Sequence, residues 1–397
     1  MKGTLEGIRV LDMARVLSGP HCSMILGDLG AEVIKIEKPG EGDMVRANYP
    51  RVNGTSTYYY AHNRNKKSMT LNFRKPGAKE IFLKLVAESD VVVENFRAGT
   101  MEAMGLGYDV LKAVNPGIIL TRISGFGQDG PYSNRTCFDG AAQAMSGLMD
   151  ITGEEDGSPT MIGTYVVDSA TGLYAVIGTL AALHAREKTG KGQVVDVALL
   201  DTAVSLMHTA VPDYLNLGSV FTRVGNNDRY AWPSKVYEAG DGRWAYIHCG
   251  MDNTFAAMMK IIGHEELITD ERTATREARS TRESRALCEG LIGEWVRCYT
   301  ADEVIAVVSQ QGIPCAKVSK VPEMVENEQI RHRNMIRKVP VEGGEDVYIT
   351  GPVIHFSDQK CEEVATPPRL GEHTARILEQ LGYAPNEIQD MFERGII

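Results

Sequence analysis

The sequence predicts an α/β protein with more than one domain, and three observations support that prediction. The N-terminal third alternates short β-branched runs with apolar helical segments, a pattern typical of a parallel sheet covered by helices. A long apolar run at 169–187 is followed by glycines and by a β-branched run at 193–200, which predicts a buried helix leading into a buried strand. The chain has 397 residues, of which 43% are hydrophobic, so it can bury a sizeable core and favours two domains over one.

Composition limits the classes of partner. A formal net charge of −10 argues against general binding to nucleic acid or to anionic membranes. The chain has no run of eighteen apolar residues and no apolar signal core near its start, so we expect no membrane span and no secretion. The cysteines form no C-x-x-C pair, so we expect neither a disulfide framework nor a zinc ribbon, and a cytoplasmic location follows. These cysteines are Cys22, Cys137, Cys249, Cys288, Cys298, Cys315 and Cys361.

The first 37 residues predict a β–loop–α–β unit. Strands are expected at 7–12 and 31–37, with a helix at about 21–29 between them. Glu37 closes the second strand, as acidic residues do in nucleotide-binding halves of α/β proteins. The first loop, A-R-V-L-S-G-P, is not G-x-G-x-x-G, so an NAD-dependent dehydrogenase is poorly supported.

The segment from residue 63 to residue 97 contains two features that could bind a ligand, a basic cluster and the end of a strand. The cluster N-R-N-K-K (63–67), extended by Arg74 and Lys75, favours a phosphate-bearing ligand in an acidic chain, although such runs are often only solvated surface. We expect strands at 68–73 and 90–96, with a helix at 77–89 between them. Asn95, Phe96 and Arg97 lie at the end of the second strand, where α/β sheets bind ligands, so Phe96 could stack on a base and Arg97 could bind phosphate.

The segment from 117 to 159 is expected to form a strand at 117–124, a loop, and a small-residue helix at 138–148. The loop G-F-G-Q-D-G (125–130) fits G-x-G-x-x-G, but no helix opens after it, so it indicates a flexible loop near a site and not a dinucleotide fingerprint.

Asp168 stands where the N-cap of the long apolar helix is expected. An aspartate there often does no more than satisfy orphan backbone N–H groups. The same helix N-terminus stabilises negative charge, so the carboxylate should stay ionised at neutral pH and could act as a general base or as a covalent nucleophile. Position alone leaves these alternatives open.

The C-terminal half changes pattern. We expect a helix from 201 to about 217, a hairpin at 233–239 and 244–249, strands at 314–318 and 347–353, and a last helix at 374–381. The polar stretch 271–285 indicates a solvated helix face or loop. The nine histidines lack metal-ligand spacing, and no P-loop, G-x-S-x-G or H-E-x-x-H motif occurs, so no metal site is expected.

Several motifs together resemble the class III (family III) CoA-transferases, in order and along almost the whole chain. They are N-R-N-K-K-S (63–68), V-V-V-E-N-F-R-A-G (91–99), I-S-G-F-G-Q-D-G-P-Y (123–132), D-G-A-A-Q-A-M-S-G-L-M (139–149), T-G-K-G-Q-V-V-D-V (189–197) and L-G-E-H-T (370–374). The resemblance implies an enzyme that moves coenzyme A between carboxylic acids, with the CoA thioester as substrate and no tightly bound cofactor. It also implies an interlocked homodimer. Each chain would have a Rossmann-like large domain from 1–200 and 346–397, a small α/β domain at 225–325, and linkers at 201–224 and 326–345.

The resemblance also implies roles for particular residues. Asp168 corresponds to the family's nucleophile, which would form a mixed anhydride and then a CoA thioester. Tyr60, Gly250 and Met251 would line the substrate pocket. The CoA-binding residues would be Arg15, Val16, Leu17, Ser18, Lys38, Leu71, Arg74, Lys75, Asn95, Phe96, Arg97 and Met104.

Three departures from the formyl-CoA transferases matter. Those enzymes have Gln where Leu17 stands and a run of glycines where H-C-G-M-D-N (248–253) stands. They also have an Arg that contacts phosphate where Ala103 stands. Oxalate and formate are therefore disfavoured, and we expect small di- or hydroxy-carboxylates.

Two other functions compete with CoA transfer. An α-methylacyl-CoA racemase would share the fold but needs a His–Asp base pair, and the matching pair here is Phe138–Asp139, whose phenylalanine cannot accept a proton. A non-catalytic CoA-binding protein would keep the basic pocket and tolerate loss of Asp168.

Overall fold

The structure, a computed structural model, describes residues 3–341, 343–358 and 364–397. The chain forms two compact units. The large unit comprises residues 1–148, 162–211 and 328–397, and the small unit comprises residues 149–161 and 212–327.

The large unit begins with alternating strands and helices. Its strands in this part are β1 (Arg9–Asp12), β2 (Glu32–Glu37), β3 (Arg51–Val52), β4 (Thr55–Ser56), β5 (Lys66–Thr70), β6 (Val91–Glu94), β7 (Ile119–Ser124) and β8 (Val194–Ala198). Its helices are α1 (Ser18–Asp28), α2 (Thr57–His62), α3 (Ala78–Ala87), α4 (Thr100–Ala103), α5 (Tyr108–Val114), α6 (Asp139–Ser146), α7 (Val166–Thr189) and α8 (Leu199–Ser205).

The rest of the chain adds shorter elements. Helix α9 (Ala210–Leu217) contains the boundary between the two units. The small unit holds β9 (Ser234–Glu238), β10 (Trp244–His248), α10 (Asp252–Ile262), α11 (Arg282–Arg297), α12 (Ala301–Gln310), β11 (Cys315–Lys317) and α13 (Val321–Met324). The large unit resumes with α14 (Glu328–His332), β12 (Ile336–Val339), β13 (Val347–Thr350), α15 (Thr374–Gln380) and α16 (Pro385–Glu393).

A six-stranded parallel sheet forms the centre of the large unit, in the order β5-β2-β1-β6-β7-β8. Counted along the chain, these strands follow the doubly wound order 3-2-1-4-5-6, which confirms the predicted α/β class. In that order the winding reverses between β1 and β6, and ligands bind in the crevice outside the carboxyl ends of these two strands.

The core of the large unit surrounds the central strands. Leu11 on β1 and Val92 on β6 are fully buried and paired in register. Runs without polar alternation are typical of strands that helices cover on both faces. The C-terminal segment joins the same core through Ile377, Leu378 and Ile396.

Helix α7 differs from its prediction as a wholly buried helix. Its small residues pack inward, but Leu173, Tyr174 and Ile177 are 49%, 44% and 61% exposed. By length and composition α7 could cross a membrane, and half of its most apolar window is buried inside the protein. Its contacts with β7, β8 and α1 are those of a helix packed on a sheet.

Other predicted elements need correction. Strand β8 was predicted to be buried. Among the described residues only β7 pairs with it, so it is an edge strand with alternating exposure. The single helix predicted beyond residue 201 is two helices, α8 and α9, and α16 follows the helix that was predicted to be the last.

The small unit has an antiparallel sheet of β11, β10 and β9. The hairpin of β9 and β10 is confirmed, with Tyr237 opposite Ala245. The stretch 271–285 is not simply solvated, because Arg279 is 1% exposed. Its guanidinium can be buried because it donates hydrogen bonds to three backbone carbonyls and pairs with Asp252.

Candidate active site

The crevice between β1 and β6 is spanned by one side chain. The Asn95 Oδ1 atom accepts a hydrogen bond from the Arg15 N–H (2.8 Å), and its Nδ2 atom donates to the Arg15 carbonyl (2.7 Å). The loop after β1 is thereby fixed to the end of β6.

An outer cavity of about 370 Å³ opens beside this crevice. Positive charge enters it from Arg15, Lys38 and Arg74, and Lys38 also pairs with Glu41. The Arg15 guanidinium carbon lies 5.4 Å from the centre of the Phe96 ring, a cation–π distance. Six of the predicted CoA-binding residues line this cavity: Arg15, Lys38, Leu71, Arg74, Phe96 and Met104.

An inner cavity of about 210 Å³ contains Asp168. Arg15 and Phe96 line it as well as the outer cavity. Phe138 lines it too and is 63% exposed. The other predicted residues that the structure brings to the inner cavity are Val16, Leu17, Ser18 and Asn95.

Asp168 is not the N-cap of α7, which corrects the prediction. The helix begins at Val166, so Asp168 lies in its first turn. The cap is supplied by Asp139, whose Oδ2 atom accepts hydrogen bonds from the backbone N–H groups of Val167 (2.8 Å) and Asp168 (3.0 Å). The simple capping alternative for Asp168 is therefore wrong.

The environment of Asp168 makes its carboxylate unusually basic. Burial, followed by the negative charge of Asp139, raises the pKa of Asp168 from 3.8 to about 6, against the lowering effect of a hydrogen bond from Ser18. Asp168 is 8% exposed. A carboxylate with this pKa is largely ionised at pH 7 and holds its negative charge in a poorly solvated place, as nucleophiles and general bases require.

Tyr58 lies near Asp168, and Tyr60 does not. Burial, followed by the negative charge of Asp168, raises the pKa of the Tyr58 hydroxyl. Tyr60, predicted for the substrate pocket, packs instead with Val339 and the hydrophobic residues of β13, and it lines neither cavity. The prediction for Tyr60 is corrected accordingly.

Lys75 and Arg97 line neither cavity. Lys75 is exposed, and Arg97 donates a hydrogen bond to the Thr136 hydroxyl (2.8 Å). Ala103 ends α4 and is exposed.

The basic cluster at 63–67 is not a phosphate site, and the prediction is wrong. Arg64 pairs with Asp28, and the buried Lys66 donates to Asp12 at 2.9 Å. Arg64 and Lys66 are thus paired with carboxylates of the same unit, so their charges are not available to bind a phosphate.

Gly250 and Met251 belong to the small unit. Gly250 is buried, and a Cβ atom there would lie 2.5 Å from the Ala231 carbonyl carbon, so only glycine fits. Met251 precedes α10 and is 46% exposed. The Gly250 carbonyl accepts a hydrogen bond from Arg279 (3.0 Å), which fixes this turn.

Two residues with clear structural roles at the site were missed. Asp139 opens α6. Its local signal is an acidic residue at the start of a small-residue helix, but its contact with Val167 spans 28 residues of the chain. Asp43 lies in the turn after β2 and accepts a hydrogen bond from the Val16 N–H (3.2 Å), a contact that sequence spacing does not reveal. Among the described residues, no group of three His, Cys, Asp or Glu side chains is arranged to hold a metal ion.

Comparison with known proteins identifies the family of the chain. The sequence profile of CoA-transferase family III matches residues 5–374. The chain is 37% identical to a succinyl-CoA–D-citramalate CoA-transferase of Chloroflexus aurantiacus over 95% of this chain and 94% of that protein. It is also 37% identical to the succinyl-CoA:glutarate CoA-transferase of Mus musculus, over 99% of this chain and 90% of that protein.

A solved structure is similar over the same extent. The crystal structure of a CAIB/BAIF family protein from Brucella suis superposes with a TM-score of 0.85 at 38% identity, covering 96% of this chain and all of that chain. The sequence comparisons and the fold comparison indicate the same family. The chain belongs to family III of the CoA-transferases and is a CoA-transferase enzyme.

Proposed function

We propose that the protein transfers CoA from succinyl-CoA to a small dicarboxylic acid, with Asp168 as covalent nucleophile. One observation carries this proposal: Asp139 caps α7, which leaves the Asp168 carboxylate available in a cavity that shares Arg15 and Phe96 with the outer cavity.

The reaction divides into two exchanges of the same kind. An Asp168 oxygen attacks the thioester carbonyl of the donor, which forms an aspartyl–acyl anhydride and releases CoA thiolate. The thiolate then attacks the Asp168 carbonyl, which forms the Asp168–CoA thioester and releases the donor acid. The acceptor carboxylate repeats these steps in reverse, and Asp168 is regenerated.

The chain contains donors suited to the negative charge that develops in these steps. Leu17 and Ser18 line the inner cavity at the start of α1, where first-turn N–H groups have no intrahelical partner. The Ser18 hydroxyl already favours the charged form of Asp168. Such fixed donors stabilise the oxyanions of acyl transfer without reorganisation.

The outer cavity would hold the nucleotide part of CoA. Lys38 and Arg74 supply charge for phosphates, and Phe96 supplies an aromatic face. Arg15, which lines both cavities, would meet the thioester end of the coenzyme or the second carboxylate of the acid.

The similar proteins of known activity support the choice of substrates. The Chloroflexus and mouse proteins are named for succinyl-CoA as donor and for citramalate or glutarate as acceptor. All three acids are small dicarboxylates, and Arg15 gives the inner cavity a positive charge that suits a second carboxylate.

The activity test is direct. Asp168→Ala should lower kcat by about 10⁴-fold or more while CoA binding persists, because the nucleophile is lost and the outer cavity is not. Wild-type enzyme incubated with succinyl-CoA and hydroxylamine should acquire a hydroxamate at Asp168 and release free CoA, with loss of activity. Turnover by Asp168→Ala at the wild-type rate would exclude the covalent route.

A racemase would behave differently. Phe138 lines the inner cavity where that reaction needs a base, and a phenyl ring takes no proton. Incubation of a 2-methylacyl-CoA in heavy water should therefore give no deuterium at the α-carbon, and substantial incorporation would favour the racemase.

We also propose that the enzyme is a homodimer. Leu173, Tyr174 and Ile177 expose apolar surface on α7, and Val204 on the adjacent α8 is 43% exposed, a concentration typical of a protein interface. Ile177→Glu should shift the native mass toward one chain. Its matched control, Glu187→Lys at the exposed end of the same helix, should not, and a wild-type mass of a single chain would contradict the proposal.

A further inference from the structure

A buried ion pair forms hydrogen bonds with the backbone of the loop that leads from β1 to α1. The Lys35 Nζ atom lies 3.0 Å from an Asp43 carboxylate oxygen, and these side chains are 1% and 0% exposed. Lys35 also donates to the Ala14 carbonyl (2.8 Å), and Asp43 accepts from the Val16 N–H (3.2 Å). Both members of the pair therefore hold backbone atoms of this loop.

Val16 has a strained backbone. Its φ is +69°, in the left-handed region, where a β-branched residue is a genuine outlier. Such a conformation persists only where the surroundings over-determine it, and it is often found at functional sites.

The neighbouring residues of the loop are held as firmly. The Ala14 N–H donates to an Asp12 oxygen (2.9 Å), and Asn95 holds both the N–H and the carbonyl of Arg15. Val16 comes next, immediately before the two residues that begin α1 at the inner cavity.

We propose that Asp43, supported by Lys35, is a positioning residue for the chemistry at Asp168, an inference that rests on the proposed function. The Asp43 carboxylate keeps Val16 in the left-handed conformation, and this conformation directs Leu17 and Ser18 toward Asp168. Relaxation of Val16 to negative φ would rotate the next peptide plane and move these groups. Displacements of about 1 Å in such groups cost about 100-fold in rate.

The test is a double-mutant cycle between Asp43 and Val16. Asp43→Asn in the wild-type background should slow single-turnover formation of the Asp168–CoA thioester by about 100-fold, with little change in the Kd for CoA. In a Val16→Gly background the same substitution should cost at least about tenfold less, because glycine adopts positive φ without a clamp.

Two further variants separate positioning from stability. Asp43→Asn removes the nearest carboxylate from the buried Lys35 charge, which also lies 3.9 Å from Asp12, and so destabilises the fold. The cycle is therefore also run with Asp43→Asn/Lys35→Met, which removes both charges. The matched control is Asp28→Asn, which breaks a comparably buried pair with Arg64 at the far end of α1. It should leave the rate of thioester formation unchanged.

The outcomes are distinct. An equal loss of rate in both backgrounds, or an equal loss with Asp28→Asn, would overturn the positioning role while leaving the proposed function intact. Absence of any thioester at Asp168 in the wild-type enzyme would overturn the proposed function, and the positioning role with it.

Discussion

Replacing Asp168 with asparagine should stabilise the folded protein at pH 8 while removing its proposed nucleophile. Burial and the charge of Asp139 raise the pKa of Asp168 from 3.8 to about 6. The folded chain therefore binds this proton more tightly than the unfolded chain, so stability is lost as the pH rises from about 4 to about 6, and the whole loss is present above that window. At about 1.36 kcal/mol per unit of pKa shift, the ionised Asp168 lowers the free energy of unfolding by about 3 kcal/mol.

Thermal unfolding measures this penalty. At pH 8, Asp168→Asn should unfold about 5–10 °C above the wild type, a shift expected for this free energy in a unit of this size. The two melting temperatures should converge as the pH falls toward 4. Asp109→Asn, which removes an exposed carboxylate from the first turn of α5, should give no increase. An Asp168→Asn protein no more stable than the wild type at pH 8 would refute the reasoning.

Further predictions concern the kinetics of the proposed transfer. The wild-type kcat/KM should fall about tenfold per pH unit below pH 6, because Asp168 must be ionised to attack, and a flat profile down to pH 5 would contradict this role. Asp139→Asn removes a charge that raises the pKa of Asp168, so the acid limb of the pH profile should move to lower pH, whereas an unmoved limb would exclude that coupling. Arg74→Ala should raise KM for the CoA thioester about tenfold at unchanged kcat, as expected for loss of a binding contact only, and an equal fall in kcat would argue against it.

Local signals explain why much of the fold could be predicted. Strands β1, β2 and β6 are short β-branched runs bounded by turn residues, and their buried pattern follows from helices on both faces. The small residues of α7 indicated a helix packed against other elements. Its exposed face was not predictable, because periodicity does not show which apolar side a neighbour covers.

The errors at the site come from contacts between distant parts of the chain. Asp139 caps a helix that begins 27 residues later, so the sequence alone wrongly places Asp168 at the cap. Lys66 pairs with Asp12, which lies 54 residues earlier in the chain, so the sequence did not show that this lysine is buried in an ion pair and not free to bind phosphate. Tyr58 and Tyr60 lie on one short helix, α2, and only the packing against β13 shows which of them is turned away from Asp168.

Transfer of oxygen from the acceptor to Asp168 tests the covalent account most directly. In the proposed reaction the attacking acceptor oxygen bridges the anhydride and stays on Asp168 when thiolate attacks the acceptor carbonyl. After a single turnover of the Asp168–CoA thioester with an acceptor labelled in its carboxylates with oxygen-18, peptide mass spectrometry should find one labelled oxygen on the Asp168 side chain. Acyl-CoA product formed in full while that peptide stays unlabelled would contradict the account.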